Sequence, residues 1–231
     1  MMKGILLAIC AFISIQGFSQ TSKMVLSNAK VLPEDRYKEY SGSPFYFDDW
    51  VKGDVYNQNG DVFENMVINY NIYENVFEVL DGKKYVLLDP YFYWCVKVDK
   101  EDNDPKLMKD MMDSTLFIRG LMADNERKFV NVMYNGVQIK LLRDMYVAES
   151  VKTFQNVGQT VTNKRFNRKD SYFLVIDGEY KEVKLKKGDF LKKLGPKKEL
   201  EKWLKENKNK LKKDEDYIAL LEYYESNYLN E

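Results

Sequence analysis

The chain has 231 residues, of which 45% are hydrophobic and 31% charged, with 36 basic and 36 acidic side chains. This composition is ordinary for a folded protein, and the length suits one sizeable domain or a domain with an appendage. The sequence contains no histidine, which excludes Ser-His-Asp and Cys-His catalytic arrangements, histidine-containing zinc sites and the commonest general base.

The chain begins with a predicted secretory signal peptide, residues 1–19. Lys3 provides the positive n-region, residues 5–15 form an apolar core too short to span a bilayer, and Gly17 and Ser19 suit a cleavage site. We therefore expect an exported protein that is periplasmic, associated with the outer membrane or extracellular.

A lipoprotein signal that ends at Cys10 is the alternative. It is disfavoured because Ile9 is branched where a small residue is needed, and because cleavage there would divide the apolar core. Export leaves Cys95 as the only cysteine of the mature chain, so the protein must depend on its core rather than on an internal disulfide bond. No later run approaches the ~20 apolar residues of a transmembrane helix.

Residues 20–45 are polar with little periodicity and are predicted to form an N-terminal arm. Residues 46–188 are predicted to form an antiparallel β domain. Four Asx-Gly pairs punctuate this domain, and they are typical of the type I′ turns that join twisted strands, because Asn, Asp and Gly all tolerate left-handed backbone. The pairs are Asn59-Gly60, Asp81-Gly82, Asn135-Gly136 and Asp177-Gly178.

Alternating apolar residues between these turns predict the strands. Residues 65–72 alternate clearly, and in residues 92–98 Trp94 is predicted to share a face with Val96 while Tyr93 lies on the opposite face. About nine or ten strands joined by short turns predict an antiparallel meander, either a curled sheet or a partly open barrel.

Two segments interrupt the strand pattern. Residues 99–113 are predicted to form a loop and a short helix, because Asp104 can cap a helix and Pro105 suits its first turn. Residues 150–170, approximately, are polar and basic and are predicted to form a long exposed loop before the last hairpin.

Residues 189–231 are predicted to form a helical C-terminal segment packed on the β domain. Asp189 can cap a short helix that stops at Gly195, and a second helix follows from Lys197. A third helix begins at Asp214, where three consecutive acids complement the helix dipole.

The segment from Lys181 to Lys213 contains fourteen lysines and five acids. Such a run is compatible with an electrostatic patch for anionic glycans, lipopolysaccharide or membrane headgroups. We favour a simpler interpretation, because a helix with one apolar face needs a solvated outer face, and lysines are typical of it.

The sequence also resembles a known group of proteins. The stretches SPFYFDDWVKGDVY and VINYNIYENVFEV, and the close YFLVIDGEYKEVKLKKGDFLKKL followed by KKELEKWLKENKNKLKKDEDYIALLEYY, are similar to the start and end of an uncharacterised family of exported proteins of Bacteroidota. The resemblance spans nearly the whole mature chain. It implies a β-rich fold with a helical C-terminus and an envelope location, and it transfers no catalytic residue.

A calcium site is the first candidate for chemistry. Residues 55–65, VYNQNGDVFEN, surround Gly60 with oxygen-bearing side chains, and two asparagines fit ligand positions of a calcium loop. Val55 and Met66 stand at the two anchoring positions and cannot bind a cation, so a turn is predicted instead. The acidic stretch 99–104 lacks the glycine, and it offers at most weak calcium binding.

Aromatic residues are the second candidate. Trp50, Tyr93 and Trp94 are predicted as possible contacts to a ligand or partner, because exposed rings can stack on sugar rings. Alternating strands must bury one face, however, so at least half of the aromatic residues in these clusters are predicted to belong to the core.

A pair of carboxylates could hydrolyse a glycoside without histidine. Asp48 and Asp49 are adjacent, and neighbours on a strand point to opposite faces, so a facing pair would need distant positions that the sequence does not reveal. No catalytic residue, cofactor or metal is therefore predicted.

Together these patterns predict a non-enzymatic exported envelope protein that acts as a structural or protein-interaction module. Its sheet edges would pair with another envelope protein, and no nucleic acid partner or transmembrane helix is expected. A glycan-binding module and a carboxylate-pair hydrolase are the alternatives.

Overall fold

A computed structural model describes residues 31–33, 35–82, 84–87, 93–109, 111–122, 125–156 and 158–229. The predicted signal peptide and residues 20–30 of the predicted N-terminal arm lie outside the described residues. The strands are β1 (Val31–Leu32), β2 (Tyr40–Ser41), β3 (Val51–Asn57), β4 (Val62–Asn71), β5 (Val76–Asp81), β6 (Lys84–Leu87), β7 (Tyr93–Asp99), β8 (Ser114–Arg119), β9 (Phe129–Asn135), β10 (Ile139–Asn156), β11 (Gln159–Ile176) and β12 (Glu179–Val183). The α-helices are α1 (Lys187–Leu194), α2 (Lys197–Glu206) and α3 (Asp214–Tyr224), and a π-helical turn (Glu225–Leu229) follows α3.

The strands form one sheet in the order β1, β6, β5, β4, β3, β7, β8, β9, β10, β11, β12. Neighbours in this order pair antiparallel, and β2 lies parallel to β11. The sheet is open. These findings confirm the predicted class, a mainly β antiparallel meander with a helical C-terminal appendage.

The sheet is strongly curled, which brings strands that are distant in the order into contact. The Tyr70 hydroxyl of β4 lies 3.1 Å from the backbone oxygen of Phe129 in β9, and the Phe129 N–H donates to Asn75 Oδ1 at 3.0 Å. The Phe77 ring of β5 packs edge-on against the Phe129 ring at 5.1 Å. A core of alternating apolar side chains fills the inside of this curl, where Tyr70, Phe77 and Phe117 are fully buried.

A bulge in β7 changes the predicted faces of two aromatic residues. Tyr56 of β3 pairs with Cys95, but the next residue, Asn57, pairs with Tyr93, so Trp94 is the extra residue. Tyr93 therefore points into the curled core together with Val96, while Trp94 is 38% exposed. The predicted assignment of Trp94 to the face of Val96 is wrong for this reason.

The three helices cover a second core, which lies over β9 to β12. Its fully buried members come from both layers, for example Leu141 and Leu174 from the sheet and Phe190, Leu200 and Leu220 from the helices. Gly195, with φ of 112°, ends α1 as predicted. Helix α1 begins earlier than predicted, because the Asp189 carboxylate accepts the Lys184 N–H at 2.8 Å instead of capping the helix at its own position.

The carboxylate of Glu225 fastens the end of α3 to the sheet. It accepts the Tyr134 hydroxyl at 2.7 Å and the backbone N–H of Gln138 at 2.7 Å and of Ile139 at 3.3 Å. A Cβ on Gly136 would overlap this carboxylate, so the absence of a side chain there permits the contact. Asn135-Gly136 consequently does not form the predicted two-residue turn, and the strand resumes only at Ile139.

The other Asx-Gly pairs differ in geometry. Asp177 and Gly178 have φ values of 52° and 81°, as the predicted type I′ turn requires. At Asn59-Gly60 only the glycine has positive φ, 87°, and the loop is organised by the buried side chain of Asn57. At Asp81-Gly82 the glycine also has positive φ, 64°.

The predicted short helix in residues 99–113 is wrong. The described part of this segment contains a 3-10 turn, Lys100–Asp102, and further hydrogen-bonded turns that bury Met108. The Asp104 carboxylate accepts the N–H of Lys106 at 2.8 Å and so forms a local turn. A helix this short gains too few backbone hydrogen bonds to offset the cost of nucleation.

The predicted exposed loop at residues 150–170 is also wrong. Strands β10 and β11 run through it as a continuous antiparallel ladder, from the pair Ile139 and Ile176 to the pair Asn156 and Gln159. Much of this ribbon is exposed on both faces, so apolar and polar residues do not alternate along it. Its polar sequence is therefore similar to that of a loop. None of the helices in the described residues is long and apolar enough to cross a membrane.

Candidate interaction site

The hairpin of β10 and β11 extends beyond the strands that flank it. Strand β9 pairs with β10 only from Lys140 to Arg143, and β12 pairs with β11 only from Tyr172 to Ile176. We call the remaining part, residues 144–156 and 159–171, the extension. Along it, the only strand pairing that the described residues provide at either outer edge is β2, at Lys164 and Arg165.

The extension becomes progressively more exposed along its length. Near its base Met145 is buried in the curled core and Val147 packs against that core. Residues 151–155 are all exposed, and among them Val151 is 55% and Phe154 is 46% exposed. We call residues 150–155 and 160–165 the tip. The tip thus presents apolar side chains beside an edge of β10 that no strand of the described residues pairs.

The charge of the tip is uniformly positive. It carries Lys152, Lys164 and Arg165 and no acidic residue. Towards the base, Arg168 lies 3.4 Å from Asp170 and places its guanidinium 4.6 Å from the centre of the Tyr46 ring. The positive charge at the tip is therefore the electrostatic feature that a partner would meet first.

An aromatic clamp, formed by Tyr37, Tyr40, Tyr73 and Phe166, holds the middle of the extension. The Phe166 ring is 4% exposed and stacks on the Tyr40 ring at 4.2 Å with an interplanar angle of 3°. The rings of Tyr37 and Tyr73 pack on it at 5.5 Å and 5.0 Å. Because these rings come from three separate segments, they fix the extension against the body of the protein.

Hydrogen bonds to Glu149 complete the clamp. The Tyr40 hydroxyl donates to Glu149 Oε1 at 2.9 Å, and the Tyr73 hydroxyl donates to Glu149 Oε2 at 3.3 Å. The hydrogen bond to the Glu149 carboxylate raises the pKa of Tyr40, and the negative charge of Glu149 raises the pKa of Tyr73. The ion pair of Lys164 and Glu39, at 2.7 Å, adds a contact nearer the tip.

Residues 35–41, which we call the strap, carry part of this clamp and are anchored by a buried ion pair. Arg36 pairs with Glu78 of β5, whose side chain is fully buried, and Asn71 Nδ2 donates to Glu78 Oε1 at 2.8 Å. The Tyr37 hydroxyl donates to Glu74 at 2.5 Å. The strap thus lies across the face of β4 and β5 opposite the curled core, and it reaches the extension from a fixed position.

The structure separates the three predicted contact residues. Tyr93 is 6% exposed and packs on Phe63, whereas Trp94 lies on the outer face beside Tyr56, with ring centres 6.4 Å apart and a tilt of 58°. The Trp94 indole N–H donates to the backbone oxygen of Asn57 at 2.8 Å. Trp50 is half-buried directly before β3. Trp94 and Tyr93 therefore do not form one platform.

The side chain of Asn57, a ligand of the calcium candidate, is engaged in hydrogen bonds within its own turn. Asn57 Oδ1 accepts the N–H of Asn59 and of Asp61, both at 2.9 Å, and Asn57 Nδ2 donates to Asp61 Oδ2 at 2.9 Å. In the acidic stretch, Asp99 pairs with Lys97 at 2.5 Å. Within the described residues, histidine, cysteine and acidic side chains form no group of three or more that would hold a metal ion.

The carboxylates considered for hydrolysis do not face each other. Asp48 and Asp49 are both exposed, and Asp49 accepts the N–H of Trp50 at 2.7 Å. A shallow surface depression is lined by Asp54, Asp99 and Asp102, but two lysines line it as well. The described carboxylates thus offer no arrangement from which a mechanism follows.

The sequence pattern did not predict the extension or its clamp. One signal for it was present, because β-branched residues recur at Val151, Thr153, Thr160, Val161 and Thr162. The clamp, by contrast, joins residues more than 100 positions apart, such as Tyr40 and Glu149, and no local pattern indicates such a pairing.

Comparison with known proteins gave no relative. No model of a protein family, no curated protein and no solved structure matches this chain.

Proposed function

We propose that this protein is a non-enzymatic, exported envelope protein whose extension binds an extended, acidic segment of another envelope protein. The observation that supports this proposal is the free edge of β10 from Asp144 to Asn156, which lacks a partner strand among the described residues. The envelope location rests on the predicted signal peptide at residues 1–19.

An unpaired strand edge exposes a row of backbone N–H and C=O groups, and an extended peptide can satisfy them by adding a strand. The exposed side chains of Val151 and Phe154 would contribute apolar contacts to the added strand. Lys164 of the tip already pairs with Glu39, but Lys152 and Arg165 favour a segment that carries acidic residues, because complementary charge steers association.

The clamp reduces the conformational entropy that would be lost on such binding. A free two-stranded ribbon is only marginally stable in water, but Phe166 and its neighbouring rings hold this one in place. A partner would therefore meet an edge that is already ordered, and little conformational entropy would be lost on binding.

Site-specific photocrosslinking in the native envelope tests the proposal. A benzophenone amino acid placed at Val151 or at Phe154 is expected to give an adduct with one protein. The matched control is Val137, which is 90% exposed in the loop between β9 and β10, far along the chain from the tip, and should give no such adduct. Equal labelling from Val137, or a protein that is monomeric and free of adducts whenever it is isolated from the envelope, would contradict the proposal.

Hydrogen exchange of the isolated complex distinguishes strand addition from other modes of binding. Successive N–H groups of a strand point to opposite edges. We expect every second amide between residues 145 and 155 to become protected on binding, because those amides would donate to the added strand. Uniform protection of this segment, or protection confined to the helices, would show that the partner does not bind as a strand.

Glycan binding is a second candidate, and the exposed ring of Trp94 beside Tyr56 favours it. A flat exposed aromatic ring can stack on a sugar. Trp94→Ala is expected to abolish binding on a glycan array while the far-ultraviolet circular dichroism spectrum stays unchanged. Tyr180→Ala, which removes another ring that is 41% exposed, is the control. Absence of glycan binding by the unaltered protein would end this candidate.

A further inference from the structure

A second feature of the surface lies among the C-terminal helices, away from the extension. An open depression of about 300 Å³ lies where the start of α1 meets the end of α2. Four lysines line it, together with Leu204 and Asn209. The lysines are Lys187, Lys205, Lys208 and Lys210.

No acidic side chain among the described residues lines this depression, and three of the nearby acids have other partners. Glu201 lies 3.9 Å from Lys197, and Glu206 lies 3.9 Å from Lys202. Asp189 accepts a backbone N–H. Four lysines and no described acid therefore line one concave surface, and like charges held on one surface favour the binding of an anion.

One of these lysines, Lys208, has an energetically unfavourable backbone conformation. Helix α2 ends in a Schellman motif, in which the N–H of Lys208 donates to the oxygen of Lys205 at 3.2 Å and the N–H of Asn209 donates to the oxygen of Leu204 at 3.0 Å. This motif places Lys208 at φ of 53°, a position that glycine normally occupies. A lysine there is less favourable than a glycine, and it brings a positive charge to the edge of the depression.

The loop after α2 is also rigid. Asn209 Nδ2 donates to the oxygen of Asp216 at 2.7 Å, and Asn209 Oδ1 accepts the N–H of Leu211 at 2.9 Å. Leu204, which is 2% exposed, provides an apolar floor. The depression thus combines exposed lysines, two of them on the hydrogen-bonded loop after α2, with an apolar base, and its size suits a small anionic group.

We propose that this depression binds a phosphate monoester group, supplied either as a soluble phosphate or as the headgroup of a phosphorylated lipid. A phosphate monoester carries close to two negative charges at neutral pH and three strong acceptor oxygens. Several lysines can therefore bind it together, each as a separate ammonium donor.

Two probes distinguish the sources of the group. Inorganic phosphate is titrated into the full mature chain while the backbone amides of residues 204–211 are followed by NMR. The same protein is sedimented with phosphatidylcholine vesicles that contain phosphatidic acid. Shifts with phosphate together with vesicle binding assign a lipid headgroup, and shifts without vesicle binding assign a soluble phosphate.

Two matched variants distinguish a specific phosphate site from nonspecific electrostatic attraction. In one variant Lys205, Lys208 and Lys210 are replaced by Gln, and in the other Lys192, Lys193 and Lys198, which are exposed on the same helical segment, are replaced by Gln. Both variants lose the same charge. We expect the first to weaken binding by about a hundredfold and the second by less than about threefold. Equal losses, or no response of the unaltered protein to either probe, would overturn the proposal.

Lys208→Gly provides an independent check that does not depend on a loss of folding. It removes one ammonium group and relieves the unfavourable backbone conformation. We expect weaker phosphate binding together with a raised melting temperature. Unchanged binding would show that Lys208 does not contribute to the site, and a lowered melting temperature would show that the lysine stabilises the fold at this position.

Discussion

The two ends of the β10 and β11 hairpin show how differently one ladder of hydrogen bonds can be supported. At the base, Leu141 and its partner Leu174 are fully buried under the helices. Near the tip, Val151 is 55% exposed on the same face of the same strand. The pairing is continuous between them, so the base is held by burial, whereas the distal part is held by its backbone ladder and by the clamp around Phe166.

The largest effect is expected at the base. Leu141→Ala should lower the free energy of unfolding by about 3 kcal/mol, because it removes buried apolar surface and leaves a cavity. Val151→Ala is the matched control and should change it by less than about 0.5 kcal/mol. Urea denaturation measures both, and losses of similar size would mean that the two ends do not differ as their burial indicates.

The clamp should control the opening of the extension more than global unfolding. Phe166→Ala is expected to lower the free energy of local opening by about 2 kcal/mol, because three ring contacts disappear. Phe154→Ala removes a ring that is 46% exposed and serves as the control. Hydrogen exchange of the extension reports the local opening, and faster exchange throughout the helices would contradict a local role.

Glu225 should make the attachment of α3 dependent on pH. Burial raises the pKa of its carboxyl group, but hydrogen bonds from Tyr134 and from the N–H groups of Gln138 and Ile139 outweigh burial and lower the pKa. The unfolded chain then binds a proton more readily than the folded one. The stabilisation is therefore present above the unfolded pKa, about 4.3, and is lost as pH falls through the folded pKa.

Glu225→Gln should accordingly lower the free energy of unfolding by about 1.5 kcal/mol at neutral pH. This difference from the unaltered protein should shrink as pH falls below about 4. Glu222→Gln, at an exposed position of the same helix, is the control. Urea denaturation across this pH range tests the expectation, which fails if the difference is independent of pH.

The smallest effect is expected at Tyr40. Tyr40→Phe keeps the stacked ring but removes the hydroxyl that donates to Glu149. Local opening of the extension should become easier by about 0.5 kcal/mol. Tyr146→Phe, on the other face of β10, should leave the exchange rates unchanged, and an equal change there would show that the hydroxyl contact has no specific role.

Much of the fold could be predicted where one side of a strand or helix is buried. The alternation in residues 65–72 follows from the curled core that Ile68, Tyr70 and Ile72 line, and the helical spacing after Lys197 follows from the core under the helices. The distal hairpin could not be predicted in this way, because exposure on both faces removes the alternation. At Trp94 the alternation was present but misleading, since a single bulge exchanges the two faces.

The candidate interaction site was less predictable than the fold. The sequence indicated that a sheet edge would be available, but it did not indicate which edge. Among the described residues that edge is unpaired because β9 begins only at Phe129 and does not reach along the distal part of β10. The bounds of two different strands are not related by any local pattern. Ring type alone is the basis for predicting contacts at Trp50, Tyr93 and Trp94. In the structure Tyr93 is buried, whereas Trp94 is exposed.

The strap has a consequence for the order of folding. Its pairing of Tyr40 with Lys164 joins two of the most distant parts of the described chain, and contacts of such long range form slowly because a large loop must close first. Arg36 moreover requires β4 and β5 to be assembled before it can reach Glu78. We expect the strap to dock last during refolding, although it precedes the rest of the sheet in the chain. Pulse-labelled hydrogen exchange would show this as late protection of residues 35–41, and the extension would remain unclamped until that step.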